Sequence, residues 1–299
     1  ATETATRTTT TTPAPAPASA SHVFFTSGST GRPKGCVATH AALLAFCLAK
    51  NKAHAIGASS VVFVASPHTF DPSFGDFMAT WVAGGTVACA SRGDTFAALG
   101  RCLAVSQATH CTTTPALLET VSSSSSSSEL ELPHLKVVAL GGEAMSRQLA
   151  SRWAPPRLDI LANTYGTTEC CVYQSFHPVT THASDDMDCR RLGAPLEGTE
   201  LVFAAEPGDD PVHRKVAPGS GELAELWIKG PQVGVGYLNR PEQTKERFQR
   251  HEGCWMFRTG DIVRCSEGGA VLVGRRDAQV KLNGQRIELG EVEGGMMRA

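Results

Sequence analysis

Between residues 61 and 162 the chain alternates short apolar runs with longer helix-like stretches, and this alternation constrains the fold more than any other feature. Val61-Val62-Phe63-Val64, Thr86 to Ala90, Val137 to Leu140 and Leu158 to Ala162 are brief runs of β-branched and apolar residues. Such a pattern predicts an α/β fold built on a largely parallel sheet with flanking helices. After about residue 190 the texture changes to glycine-punctuated strands, Gly221 to Gly230, Ala270 to Gly274 and Val280 to Gly284, which read as hairpins of a small antiparallel, β-rich unit. The expected division is a Thr/Ala/Pro-rich disordered tail over 1–21, an α/β core over 22–190 and a β-rich subdomain over 191–276. The serines at 122–128 read as a surface loop.

Composition narrows the function classes. A length of 299 residues suits about two domains, and 41% hydrophobic against 19% charged residues can bury a core. The net charge, 27 − 29 = −2, argues against a general nucleic-acid or membrane-surface binder. Without an apolar run of membrane-spanning length or a basic, apolar leader, the expectation is a cytoplasmic protein with no membrane partner. Ten scattered cysteines with no C-x-x-C unit read as reduced thiols without chemistry. Neither a G-x-S-x-G elbow nor an H-E-x-x-H helix is present, and His68 is expected as a core or pocket-wall residue rather than a base.

The strongest local signal is Phe24-Phe25-Thr26-Ser27-Gly28-Ser29-Thr30-Gly31-Arg32-Pro33-Lys34-Gly35. A strand followed by this turn offers unobstructed N–H groups, several hydroxyls and one lysine, which is what a polyphosphate needs. It is not a Walker loop, because the G-x-x-x-x-G-K-[ST] pattern started at Gly28 fails at Pro33 and again at Gly35. Further on, Asn163-Thr-Tyr-Gly-Thr-Thr-Glu169 follows a predicted buried strand. That places Tyr165 and Glu169 at the carboxyl end of a sheet, where a ring face suits a base and a carboxylate suits Mg²⁺.

With these motifs in this order, the chain resembles the adenylate-forming enzymes, and within them the adenylation domains of nonribosomal peptide synthetases, over about residues 23–293. The resemblance implies the core of that fold, followed by a hinge and the start of a lid over 277–299. It implies ATP with Mg²⁺, and a phosphopantetheine-bearing carrier plus condensation domains as partners. By match, Thr26, Ser27, Gly28, Ser29, Thr30, Gly31 and Lys34 hold the β- and γ-phosphates. Tyr165 stacks on adenine, Asn163 contacts its edge, and Thr168 and Glu169 lie by the phosphates and the metal. Phe257-Arg-Thr-Gly-Asp261 resembles the ribose motif, with Asp261 accepting from the sugar hydroxyls. Gly274-Arg275-Arg276-Asp277 resembles the hinge, with Asp277 as pivot and Arg275 near the nucleotide. Thr167 stands where the family often has Pro, and Gly221 to Leu238 matches with a structural role.

On the substrate side, Phe70-Asp71-Pro72-Ser73 follows the strand at 61–64. A buried ammonium needs a fixed carboxylate, so Asp71 favours an α-amino acid over a plain acid. The matched pocket is Asp71, Pro72, Gly75, Thr112, Val138, Leu140, Thr164, Val172 and Tyr173, a lining that fits a neutral side chain. The implied reaction is attack of a carboxylate on the α-phosphorus of ATP, giving aminoacyl-AMP and pyrophosphate, then transfer to a carrier thiol. An acyl- or aryl-CoA ligase, a carboxylate-reductase module and an inactive binding remnant remain as alternatives. The chain opens on Ala1 and stops at Ala299 without the family's P-x-G-K lysine, so weak adenylation is expected of it as it stands.

Overall fold

In the computed structural model the described residues are 16–27, 32–123, 131–179, 188–205, 215–251, 253–276, 279–282, 285–288 and 296. The expectations for Gly28, Ser29, Thr30, Gly31 and Asp277, and for the serines beyond Ser123, lie outside them. Strand β1 (Ala20–Thr26) pairs antiparallel with β2 (Lys34–Thr39), with Thr26 opposite Lys34, so the phosphate-loop sequence joins the two arms of a hairpin. The strand begins at Ala20, inside the stretch expected as tail. Helix α1 (His40–His54) follows directly, capped by the Thr39 hydroxyl, which accepts from the Ala42 amide at 3.1 Å.

The predicted alternation is borne out. Strands β3 (Val61–Val64), β4 (Thr86–Ala88), β5 (His110–Thr113), β6 (Val137–Gly141) and β7 (Ile160–Tyr165) pair in parallel. Two antiparallel strands, β8 (Ser175–Val179) and β9 (Ala194–Pro195), complete a seven-stranded sheet in the order β4-β3-β5-β6-β7-β8-β9. Helices α1 and α2 (Asp71–Val82) cover one face through Phe46, Ala79, Ala162 and Phe176. Helices α3 (Arg92–Val105), α4 (Pro115–Ser123) and α5 (Arg147–Trp153) cover the other through Leu99, Leu118, Leu140 and Trp153. Alternation along β7 sends Leu161 to one layer and Ala162 to the other.

The glycine-punctuated part is antiparallel, as expected. Strands β10 (Glu200–Ala204) and β11 (Leu223–Lys229) pair, and β12 (Gly236–Tyr237) lies against β2. Helix α6 (Pro241–Arg247) leads into β13 (Phe248–His251), β14 (Cys254–Ser266) and β15 (Gly269–Arg275), all of which join the sheet of β11. A separate hairpin pairs β16 (Gln279–Leu282) with β17 (Gln285–Glu288). The division expected at residue 190 is bridged twice, since β9 belongs to the large sheet and β12 to the hairpin of β1 and β2. Tyr165, Cys36 and Tyr237 share one apolar cluster with Leu226 and Phe257, so the β-rich part packs onto the carboxyl end of β7.

All ten cysteines are free and seven are buried. His68 is exposed, contrary to its reading as a core or pocket-wall residue. No helix among the described residues is long and apolar enough to cross a membrane.

Candidate active site

The carboxyl ends of the parallel strands open onto a cavity of about 600 Å³. Its wall comes from four of the five parallel strands: Ala65 and Ser66 after β3, Thr112 to Thr114 at β5, Gly141 and Gly142 at β6, and Thr164 and Gly166 at β7. Doubly wound sheets place ligands at this edge because side chains and N–H groups leaving several strands converge there. Thr26 and Ser27 of the loop, with Asp71, Pro72, Thr168, Val172 and Tyr173, close the cavity.

Asp71 is the first residue of α2, with Pro72 beside it supplying the fixed φ that a helix start favours. Its residue is 3% exposed. Burial pushes its carboxyl up to about 7, partly opposed by the Thr168 hydroxyl and reinforced by the negative charge of Glu169. Among the described residues Asp71 Oδ2 has no hydrogen-bond partner. A carboxylate that is costly to ionise alone and lines a cavity is suited to receive a cation.

After β7 the chain makes a tight loop. Gly166 has no room for a side chain, because a Cβ there would lie 2.1 Å from Tyr173 Cα. Thr168–Cys170 form one 3₁₀ turn, and Cys171 and Val172 then adopt φ of 64° and 74°, a conformation costly for a β-branched residue. Buried Gln174 clasps the loop: its Oε1 accepts from Thr167 N at 3.0 Å and its Nε2 donates to the Cys170 carbonyl at 2.7 Å. This clasp fixes where Thr168 and Glu169 sit.

Glu169 and Lys34 meet one another rather than bordering the cavity. Lys34 Nζ lies 3.3 Å from Glu169 Oε1, whose side chain is fully buried. The Tyr237 hydroxyl donates to the same oxygen at 2.9 Å, and the lysine ammonium reaches that hydroxyl at 3.3 Å and lies 4.7 Å from the centre of its ring. Tyr237 is the residue that sequence reasoning missed. Its stretch was matched but given only a structural role, although a tyrosine within Gly234-Val-Gly236-Tyr237 was the available signal.

A second cavity of about 360 Å³ adjoins the first, bordered by Asn163, Thr164, Tyr165, Asp261, Arg275 and the Gly142-Glu143-Ala144 turn. The Tyr165 hydroxyl donates to Asp261 Oδ2, and Arg275 Nη1 donates to Asp261 Oδ1. Arg275 Nη2 also reaches the Thr259 carbonyl at 3.1 Å, and Asn163 Nδ2 donates to the Arg191 carbonyl at 2.8 Å. Burial and the Asp261 charge push the Tyr165 phenol up, so it stays a donor. A ring, an amide, a carboxylate and a guanidinium thus border one hollow.

Three substrate-side assignments need correction. Val138 and Leu140 are fully buried in the layer packed against α3–α5 and border neither cavity. Pleating puts Ala139 and Gly141 on the opposite face of β6, and Gly141 is the residue that lines the cavity. Gly75 also lies off the cavity: a Cβ there would meet the Phe46 ring at 2.8 Å and Val172 at 2.9 Å. Asp71, Pro72, Thr112, Thr164, Val172 and Tyr173 do line the cavity.

A parallel sheet whose carboxyl edge faces a β-rich unit across two adjoining cavities is the α/β arrangement in which ligands commonly bind. Comparison with known proteins gives the family: AMP-binding enzyme matches residues 1–238, and the chain belongs to that family. It is 36% identical over 293 residues to nonribosomal peptide synthetase anaPS of Neosartorya fischeri, covering 93% of this chain and 11% of that protein. To novobiocin biosynthesis protein H of Streptomyces niveus it is 38% identical over 282 residues, covering 91% and 43%. The Vibrio cholerae adenylation domain AlmE, in complex with glycyl-adenosine-5′-phosphate, matches with a TM-score of 0.78 at 29% identity, over 92% of this chain and 52% of that one. Holo-PA1221, a peptide-synthetase protein with adenylation and PCP domains, matches with a TM-score of 0.78 at 27% identity, over 96% and 49%. The chain therefore spans about half the length of these solved proteins and less of the curated relatives.

Proposed function

We propose that this chain is the larger part of an adenylation domain that activates an α-amino acid with ATP, forming aminoacyl-AMP and releasing pyrophosphate. The observation that carries this reading is Asp71: a buried carboxylate in the wall of a cavity that also opens on the phosphate loop and on Arg275. A carboxylic acid without an amino group would leave that carboxylate unpaired.

In the proposed complex, adenine lies against Tyr165 with Asn163 at its edge, and the ribose hydroxyls are shared between Asp261 and Arg275. The amino acid places its ammonium on Asp71, which aims its carboxylate at the α-phosphorus. Attack of a carboxylate oxygen forms the new P–O bond as the bond to pyrophosphate breaks, and the pair on the leaving oxygen is stabilised by nearby cations. Lys34 moves from Glu169 onto the phosphate oxygens, together with Thr26, Ser27 and the loop residues Gly28 to Gly31. Glu169 already carries a cation, the Lys34 ammonium, on one oxygen. A single carboxylate of this kind suits Mg²⁺ held alongside nucleotide phosphates. Mg²⁺ bound at Glu169 would neutralise phosphate charge.

Asp277 is proposed as the hinge pivot between this core and a lid beginning at 277, and a carrier thiol as the acceptor of the aminoacyl group. The relatives named as peptide synthetases and the solved protein with a PCP domain support this second step. The test is isotope exchange between pyrophosphate and ATP with each amino acid and its des-amino counterpart. Exchange with at least one amino acid and none with its des-amino partner is expected. Equal exchange with both would point instead to an acyl- or aryl-acid ligase.

A further inference from the structure

The adenylation reading leaves unexplained a polar cluster buried beneath the amino-acid end of the cavity. Lys50 and Asp76 form an ion pair with both side chains almost wholly enclosed. Nearby, His54 at the end of α1 is 2% exposed. Its Nε2 lies 2.8 Å from the Tyr173 hydroxyl, while its carbonyl accepts from His110 Nε2 at 3.0 Å. The Tyr173 ring is held edge-on by Phe46, with centroids 5.1 Å apart, and His54 packs on Phe176 at 4.8 Å. Tyr173 is thus fixed at both its ring and its oxygen, and it is one of the residues that line the cavity.

We propose that His54 is a positioning residue for substrate selection: it draws the Tyr173 hydroxyl out of the cavity, so that the pocket presents ring and methyl surface and selects an apolar amino-acid side chain. The inference rests on the adenylation reading and names the substrate class for it. Two other hydroxyls on this side, those of Thr164 and Thr112, are turned to protein groups. Thr164 Oγ1 donates to the Leu140 carbonyl at 3.0 Å, and the Thr112 hydroxyl favours the charged form of Asp76. Thr113, whose Oγ1 has no partner among the described residues, also borders the cavity, from the face of β5 shared with Cys111 and away from Thr112. Burial, then the Lys50 charge and His110, hold the His54 imidazole well below its usual pKa, so it stays neutral and able to accept. A polar isostere in such a pocket loses its hydration without gaining a partner, which is worth about tenfold to a hundredfold in discrimination.

The test measures binding of paired non-hydrolysable aminoacyl-adenylate analogues, valyl against threonyl and phenylalanyl against tyrosyl, by calorimetry. The wild-type chain is expected to favour the apolar member of the better-bound pair. His54→Leu, which removes the acceptor and frees the hydroxyl, should cut that preference about tenfold while ATP affinity stays within twofold, and His54→Gln, which restores an acceptor, should recover it. In a Tyr173→Phe background, His54→Leu should change the preference less than twofold. This double variant replaces both polar partners with apolar groups and so also serves if His54→Leu alone does not fold. An unchanged preference in His54→Leu, or an equal effect of His54→Leu with and without the Tyr173 hydroxyl, overturns the assignment. Binding of no analogue at all by a chain that still binds ATP overturns the adenylation reading and this inference with it.

Discussion

Asp71 and Tyr237 show how differently single residues are written into a sequence. Asp71 could be read directly, because Phe-Asp-Pro-Ser after a buried strand places one acid at a helix start facing the sheet edge. Its environment adds a pH dependence. With its carboxyl raised to about 7, Asp71 is ionised only above that pH in the empty cavity, so amino-acid affinity should fall about tenfold per unit below pH 7 and level off above it. The sign for stability is the reverse of that for a salt-bridged acid. The folded state holds the proton more tightly than the unfolded chain, so this residue's contribution declines as pH rises from about 4 to 7. Asp71→Asn should therefore flatten the affinity profile and raise the unfolding midpoint at pH 8; a slope that survives the substitution contradicts the assignment. Tyr237 was illegible because its partners, Lys34 and Glu169, are distant in sequence and only the fold brings the three together. Tyr237→Phe removes the donor that orients Glu169, so the Mg²⁺ concentration needed for half-maximal ATP binding should rise between tenfold and a hundredfold, as is typical when a ligand's supporting hydrogen bond is lost. An unchanged Mg²⁺ titration would relegate Tyr237 to packing.

Elements were legible where a pattern repeats and obscure where one residue decides. The parallel strands could be read from runs such as Val61 to Val64, but β7 runs on to Tyr165, three residues beyond its expected end at Ala162, because Asn163 and Thr164 pair with β8 despite their polarity. The assignment of Val138 and Leu140 to the pocket failed by one position along β6. Side chains alternate across a sheet, so that single step exchanged pocket for core. The loop after β7 was recognised as a motif, yet its conformation depends on Gly166, on two residues at positive φ and on the Gln174 clasp, none of which periodicity reports. Gln174→Leu leaves the Thr167 amide without its acceptor and the Cys170 carbonyl without its donor, so it should destabilise the fold by about 3 kcal/mol. Denaturant unfolding checks this; a loss below about 0.5 kcal/mol would mean that the loop holds itself without the clasp.

For the molecule as a whole, sequence texture gave two parts, and the structure joins them where the chemistry is proposed. Strand β12 lies on the phosphate-loop hairpin, and β14 and β15 bring Asp261 and Arg275 to Tyr165. Neither part alone assembles the proposed nucleotide site, and ligand binding should therefore stabilise both together. The most direct test of the central claim is calorimetric titration of the folded chain with ATP and Mg²⁺. One saturable site is expected, with about 2.7 kcal/mol of added stability at a hundredfold excess of ligand over Kd. Affinity should weaken at least tenfold in Lys34→Ala. A folded chain that takes up no ATP, or a Lys34→Ala variant that binds it as well as the wild type, would contradict the account.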